Sequence, residues 1–416
     1  MSFSAAVLEA IDQQDMVEAN LQLEKALKKD AEPVLAELGE QLFEQGFLAE
    51  SSQIFKQLRQ QNPNEYGYTL YLAEIAIENE QLEEASLLLE EIPENHGTYL
   101  ESLLISADLY MELALPEVSE RKLKKAKQLA PSEPIIDFAL GELYSATEQF
   151  HHSIPIYEHL LDQGYETIAE VNLFERLGDG LSFIGEYEEA VYYLEQALKD
   201  KRTDERLFRL AVLYLQLNER EKAIALLQEL RALNPLFDQV YLPLASALLD
   251  EDQFEEGIQI INEGIKENPY AIDLYHLASD AYYRVHDLGR AEEYLRQGMG
   301  FEEDRELSII KLSGLMLQDE RYEEAIDTLN TLDNSVHPYV FWNLAQSYYG
   351  LEDYAKAADY YQKAEPSLAH EPDFLREYGL FLREEGQREK ASHLLTHYLQ
   401  HVPDDAEIAQ LLSEND

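Results

Sequence analysis

The sequence predicts an all-α protein built from a row of helical hairpins, on the evidence of a motif, its period and the composition. The motif is clearest from Phe174 to Lys199, where apolar residues recur at helical spacing on both sides of a turn at Gly185-Glu186. A small residue in each second helix then repeats every 32 to 37 residues, most often every 34. These residues are Ala19, Ser51, Ala85, Ser119, Ser153, Ala190, Ala223, Gly257, Ala291, Ala325, Ala357 and Ala391. A hydrophobic content of 45% is sufficient for a folded core despite the net charge of −51.

The same local features justify each hairpin along the chain. First helices follow the pattern apolar-x-x-Leu-Gly/Ala-x-x-Tyr/Leu, which is weak in repeats 1 and 5 and clear from Leu207 in repeat 7 and Phe341 in repeat 11. Second helices often begin with an aromatic residue and two acids, as in Tyr187 to Ala190, and acids favour the positive end of a helix. Prolines that end a second helix stand at Pro63, Pro131, Pro235, Pro269 and Pro403.

A 34-residue helix-turn-helix unit with these small residues resembles the tetratricopeptide repeat (TPR). The resemblance covers residues 2–403 and implies a right-handed superhelical solenoid of about twelve repeats. In this family the first helices line a concave groove, and ligands usually bind there. The chain is also similar to the soluble, cytoplasmic TPR proteins of Firmicute-type bacteria.

We predict one continuous solenoid, with repeats 1–5 in residues 1–163, repeats 6–12 in residues 164–403, and a short C-terminal capping helix and tail in residues 404–416. The division follows the 37-residue spacing between Ser153 and Ala190. The three extra residues either lengthen a loop or add a turn to a helix. The segment 163–167 is therefore a candidate hinge, the alternative being a longer loop without that role.

The sequence carries no motif that would assemble a catalytic site. It has no P-loop, no dinucleotide-binding glycine pattern, no H-E-x-x-H and no G-x-S-x-G. The absence of cysteine excludes thiolate catalysis and Cys-based zinc sites. His393 and His397 share a helical face but have no third ligand nearby in the sequence. We therefore expect no enzyme activity, no cofactor and no metal.

The charge balance restricts the partners. The chain has 83 Asp and Glu against 32 Lys and Arg, spread along its length, and this field repels nucleic acid and anionic lipid while attracting basic segments. Adaptation to high salt is a second explanation of the same composition. We found no apolar stretch long enough for a membrane helix and no signal peptide, so the expected location is cytoplasmic.

Acidic residues follow the predicted groove in two columns. Eleven residues before the small residue of repeats 2 to 6, the first column reads Glu40, Glu74, Asp108, Glu142 and Asp179. Seven residues before the small residue of repeats 1 to 4, the second column reads Asp12, Glu44, Glu78 and Glu112. The pattern predicts an acidic track for a basic segment. The alternative is that any polar face of so acidic a protein carries acids.

The corresponding rows turn apolar and aromatic in the C-terminal half. They include Phe208, Tyr283, Trp342 and Tyr349. These side chains either pack between helices or line pockets for an anchoring side chain of a ligand.

The sequence therefore predicts a scaffold or adaptor that binds a partner peptide or protein in the groove, and we expect it to bind a basic segment of that partner. The alternative function is a ligand- or peptide-responsive regulator that controls another protein through a change of superhelix pitch. The sequence leaves the oligomeric state open.

Overall fold

The computed structural model describes residues 2–413 and divides into two compact units, unit 1 (Met1–Arg206) and unit 2 (Leu207–Asp416). Within the described residues, twenty-five α-helices form twelve consecutive hairpins and one final helix. The predicted all-α array of helical repeats is therefore confirmed. None of these helices is both long and apolar enough to span a membrane.

Unit 1 begins with five hairpins of regular spacing. Their helices are α1 (Phe3–Asp12), α2 (Met16–Lys29), α3 (Glu32–Glu44), α4 (Leu48–Gln61), α5 (Gly67–Glu78), α6 (Leu82–Glu90), α7 (Tyr99–Glu112), α8 (Pro116–Leu129), α9 (Pro134–Ala146) and α10 (Phe150–Asp162). After a short strand pair come α11 (Leu173–Phe183), α12 (Tyr187–Asp200) and α13 (Asp204–Gln216), within which the division of the units falls.

Unit 2 continues with the same hairpin pattern. Its helices are α14 (Arg220–Leu233), α15 (Tyr241–Asp250), α16 (Phe254–Glu267), α17 (Ile272–Arg284), α18 (Leu288–Gly298), α19 (Arg305–Gln318), α20 (Tyr322–Leu329), α21 (Pro338–Gly350), α22 (Tyr354–Leu368), α23 (Pro372–Glu384), α24 (Arg388–His401) and α25 (Ala406–Ser413). A single 3₁₀ turn, Asp238–Val240, precedes α15. Helix α25 is capped by Asp405, whose carboxylate accepts a hydrogen bond from the Ile408 amide, and it buries Ile408 against α24.

The small-residue column lies where the two helices of each hairpin touch. All twelve of its members are buried. In repeat 6, a Cβ added to Gly178 would lie 2.6 Å from the Leu194 side chain and 3.4 Å from the Ala190 carbonyl. The two helices of this hairpin therefore approach each other closely at Gly178 and Ala190.

Every hairpin turns through one residue of left-handed backbone conformation, five residues before the small residue. Three of these twelve residues are glycine and nine carry side chains. They are Gln14, Gly46, Glu80, Ala114, Glu148, Gly185, Asn218, Asp252, His286, Glu320, Glu352 and Gly386. Since the left-handed region costs an L-residue about 1–2 kcal/mol, packing of the helices imposes this turn against local preference.

The irregular spacing between repeats 5 and 6 corresponds to a β-hairpin. Strands β1 (Thr167–Ile168) and β2 (Val171–Asn172) pair antiparallel, and Ala169 and Glu170 form the turn with φ angles of 47° and 64°. The Asn172 side chain then caps α11 by accepting a hydrogen bond from the Glu175 amide. The extra residues thus lengthen the connection and add no helical turn.

Candidate functional site

The first helices of repeats 2 to 4 enclose an acidic pocket in unit 1. Its volume is about 310 Å³, and it opens between α3, α5 and α7. Helical spacing places its acids on one face of each helix, because residues four apart stand above one another. The lining residues are Glu40, Phe43, Glu44, Gly67, Leu70, Tyr71, Glu74 and Glu101.

Glu74 is the most perturbed acid of the pocket. Its pKa is raised to about 7, first by burial and then by the neighbouring carboxylates Glu101, Asp108 and Glu78. No Lys or Arg of the described residues forms an ion pair with Glu74. The pocket therefore holds negative charge that the protein itself leaves uncompensated.

Asp108 extends this unbalanced charge along α7. Burial raises its pKa, with a smaller contribution from Glu112. Glu78 and Glu112 are exposed at the end of their helices, where they contribute to the field of the pocket. A cationic group entering the pocket would relieve the repulsion among these carboxylates and favour the ionised form of Glu74.

Two aromatic rings form the apolar part of the pocket. Tyr71 stacks on the buried Phe55 with ring centroids 4.5 Å apart, and Phe43 meets Tyr71 edge-on at 5.8 Å. Burial and the carboxylate of Glu40 raise the pKa of Tyr71 to about 12, so this hydroxyl stays protonated at neutral pH. Apolar surface beside carboxylates suits the stem and head of a Lys or Arg side chain.

The structure distinguishes the last two members of the predicted column from the first three. The Glu142 carboxylate accepts hydrogen bonds from Arg176 Nε at 2.8 Å and Nη2 at 2.7 Å, and from the Tyr157 hydroxyl at 2.6 Å. Asp179 also lies within the field of Arg176. Because a cation of the chain already compensates this end of the column, the candidate site contracts to repeats 2 to 4.

Sequence reasoning missed Glu101 as a member of the site. It lies in the first turn of α7, seven residues before Asp108. Seven residues are two helical turns, so both acids share a face. That spacing was the available signal, but neither of the two acidic columns includes the position of Glu101.

The four aromatic residues predicted to lie in the groove of unit 2 differ in how accessible they are to a ligand. The Trp342 indole donates to Glu377 at 3.2 Å, and the Tyr349 hydroxyl donates to Glu384 at 2.7 Å. Phe208 packs against Phe237 with ring centroids 5.4 Å apart. Tyr283 is 41% exposed. Three of the four side chains therefore have packing partners within the chain, and Tyr283 is the most accessible of those that lie in the groove rows.

A larger cavity, of about 620 Å³, lies elsewhere in unit 1 and offers less chemistry. It is lined by Lys56, Arg59, Gln60, Pro63, Tyr66 and Glu91. Its guanidinium is already paired, because Arg59 binds Glu91. We therefore regard the smaller acidic pocket as the better candidate for recognition.

The hairpin repeats, the small-residue column and the groove define the class of this molecule as a TPR protein. A general tetratricopeptide-repeat model matches residues 42–104 and 185–246. TPR proteins generally bind other proteins or peptides and are typically non-catalytic.

Within that class, the chain belongs to the YpiA-like family. Models of the YpiA-like tetratricopeptide repeats and of the YpiA-like C-terminal repeats match residues 112–165 and 338–405. The TPR repeat-containing protein YpiA of Bacillus subtilis (strain 168) is 31% identical over 379 residues, which are 91% of this chain and 89% of that protein.

Among solved structures, similarity is limited to the general repeat architecture. A chain of the APC/C hetero-tetramer Cut9-Hcn1 covers 99% of this chain and 95% of its own length, at 14% identity and a TM-score of 0.44. YrrB, described as a TPR protein with an unusual peptide-binding site, matches 45% of this chain and 95% of its own, at 18% identity and a TM-score of 0.39.

Proposed function

We propose that this protein is a binding scaffold whose acidic pocket in repeats 2 to 4 takes a basic segment of a partner protein. The observation that supports this most is the uncompensated carboxylate of Glu74, which is half-buried in the pocket and has the exposed carboxylates of Glu101 and Asp108 beside it. Charges held in such a place cost folding free energy. A cationic ligand would recover that free energy as affinity.

The composition of the pocket also indicates which basic groups fit. The carboxylates come from three helices, so successive cations of an extended segment could each meet one or two of them. A guanidinium binds a carboxylate through two parallel hydrogen bonds, and its stem packs on aromatic surface such as that of Phe43 and Tyr71. A segment with two or three Arg or Lys residues is therefore the expected ligand.

Two further parts of the proposal are each supported by a single observation. In unit 2, Tyr283 is a candidate contact for an apolar side chain of a partner, on the basis of its exposure. A cytoplasmic location stays a prediction from the sequence.

The proposal is tested with a fluorescent peptide of alternating Lys and Ala residues as the probe. We expect the variant Glu74→Gln, Glu101→Gln, Asp108→Asn to bind at least about tenfold more weakly than wild type, or about 1.4 kcal/mol. Binding by wild type should also weaken with added salt. The readout is fluorescence anisotropy.

A matched control removes three exposed acids from second helices of unit 1, in the variant Glu83→Gln, Glu188→Gln, Glu189→Gln. Its net charge equals that of the pocket variant. The control should bind within about twofold of wild type. Equal losses in both variants would show a diffuse polyanion and would refute the pocket.

A further inference from the structure

A polar pair occupies positions of repeats 9 and 10 that are apolar in neighbouring repeats. Counted fifteen residues before the small residue, His276 stands where other repeats have Phe208, Leu242, Ile310 and Trp342. Counted seventeen residues before it, Ser308 stands where other repeats have Val240, Leu274 and Val340. The two polar residues meet each other, with His276 Nε2 2.9 Å from Ser308 Oγ. Core packing alone would favour apolar residues at both positions. The hydrogen-bonded polar pair therefore indicates a function of this site beyond packing.

The pair is built into three helices of unit 2. His276 on α17 is 6% exposed and Ser308 on α19 is fully buried. Helix α18 passes against them through Gly298, where a Cβ would lie 2.7 Å from Ser308 Oγ and 3.7 Å from His276 Nε2. The imidazole is thus held in a fixed orientation by a hydrogen bond and by close backbone packing.

Two carboxylates join this imidazole. Asp273 lies in the first turn of α17, three residues before His276, and Asp304 is the N-cap residue of α19. One ligand atom from each of Asp273, His276 and Asp304 lies within 4.8 Å of the others. The Asp304 side chain does not cap its helix, although an Asp at this position usually accepts a hydrogen bond from the first turn. Its oxygens therefore remain free for another partner.

We propose that Asp273, His276 and Asp304 bind a divalent transition-metal ion, Zn²⁺ being the best match. With Nε2 bonded to Ser308, the second ring nitrogen, Nδ1, is left to bind the ion. Nε2–H then donates to the serine hydroxyl, the usual outer-shell contact of a ligating histidine. One imidazole and two carboxylates with open positions suit Zn²⁺, whereas Ca²⁺ and Mg²⁺ prefer oxygen alone.

The charges around the imidazole favour a neutral ligand. Burial and the Lys311 ammonium lower the pKa of His276, while Asp304, Asp273 and Asp280 oppose that effect. Lys311 is itself paired with Asp280 at 3.1 Å. The lowered pKa of His276 favours the neutral imidazole, which is the form that binds metal. The sequence analysis predicted no metal because Asp273 and Asp304 are 31 residues apart and meet only through the stacking of two repeats.

The test is calorimetric titration with Zn²⁺, with excess Mg²⁺ present to occupy the diffuse acidic surface. The starting protein carries His370→Gln, His397→Gln and His401→Gln, because those three surface rings lie near one another and would bind Zn²⁺ themselves. We expect this protein to bind one Zn²⁺ ion and to gain thermal stability from it. Asp273→Asn and Asp304→Asn should each weaken binding at least about tenfold.

Asp280→Asn is the matched control, because Asp280 lies on the same helix and pairs with Lys311 without belonging to the three-residue cluster. It should leave the affinity within about twofold. Circular dichroism confirms that each variant is folded, which is expected because Asp273 is exposed and Asp304 partly so. Absence of saturable Zn²⁺ binding in the starting protein would overturn the proposal. Binding that both carboxylate variants retain would overturn it equally.

Discussion

Ser119 holds the small-residue position of repeat 4 with a buried hydroxyl that has no hydrogen-bond partner among the described residues. In repeat 2 the equivalent Ser51 hydroxyl donates to the Gly39 carbonyl at 2.8 Å. The two serines therefore occupy the same packing site with opposite energetic consequences, because an unsatisfied buried hydroxyl costs free energy and a bonded one does not.

We expect Ser119→Ala to stabilise the protein by about 1 kcal/mol, because it removes an unsatisfied buried hydroxyl. In six other repeats the residue at this position of the second helix is an alanine that is completely buried, so the site accommodates its side chain. Ser51→Ala should destabilise it by about 1 kcal/mol, because it removes a bonded group. Urea denaturation followed by circular dichroism measures both. Destabilisation by Ser119→Ala would contradict this account of the column.

Glu74 gives a second prediction at the residue scale. The folded protein holds its pKa at about 7, above the 4.5 of an ordinary glutamate, so the unfolded chain releases this proton at lower pH. The contribution of protonated Glu74 to the free energy of unfolding is therefore fully present below about pH 4.5 and is lost as pH rises through about 7. Glu74→Gln removes this loss. We expect the variant to exceed wild type by about 1–2 kcal/mol at pH 8, an amount reduced for partial solvent exposure, and by less at pH 5.5.

The measurement is the free energy of unfolding in urea at both pH values. Glu83→Gln on α6 is the control, because that acid is exposed. The control should show no gain that grows with pH. An equal gain for Glu74→Gln at both pH values would mean that the carboxylate ionises normally.

At the scale of the element, the connection between repeats 5 and 6 shows where local chemistry opposes the fold. Two-residue hairpin turns with both φ angles positive prefer Asn-Gly, yet Ala169 and Glu170 occupy this one. The β-hairpin could not be predicted from the sequence, because neither turn residue is a turn former and each strand has only two residues.

We predict that Ala169→Asn with Glu170→Gly stabilises this hairpin, because both new residues adopt positive φ at lower cost. In wild type, limited proteolysis should cut first near Gln163–Thr167, whose residues are all exposed, or at the termini. The double variant should slow cleavage at that segment and leave cleavage at the termini unchanged. First cleavage within α11 to α16 would show that this connection is not the weakest point.

The elements also show what pattern alone could predict. Twelve small residues in register located every hairpin, because close helix contact admits few side chains. The pairing of Glu142 with Arg176 was not foreseen, although the two residues are 34 apart, one repeat length. Such a pair depends on where long side chains point between neighbouring helices. A search that reads one column at a time does not compare neighbouring columns.

At the scale of the whole molecule, the energetic cost of an acidic residue depends on where it lies in the array. Most acids of the pocket are exposed, whereas Glu74 is half-buried there and is repelled by the carboxylates around it. The sequence located Glu40, Glu74 and Asp108 by their register. It could not separate them from Glu142, because the separation depends on the pairing of Glu142 with Arg176.

The most direct test of the proposed binding site is photo-crosslinking with the alternating Lys-Ala peptide carrying one diazirine side chain, followed by mass spectrometry. The account predicts that cross-linked residues lie on α3, α5 and α7, and that Glu74→Gln, Glu101→Gln, Asp108→Asn abolishes this pattern. Cross-links scattered over second helices, or unchanged in that variant, would contradict the claim that repeats 2 to 4 form the binding site.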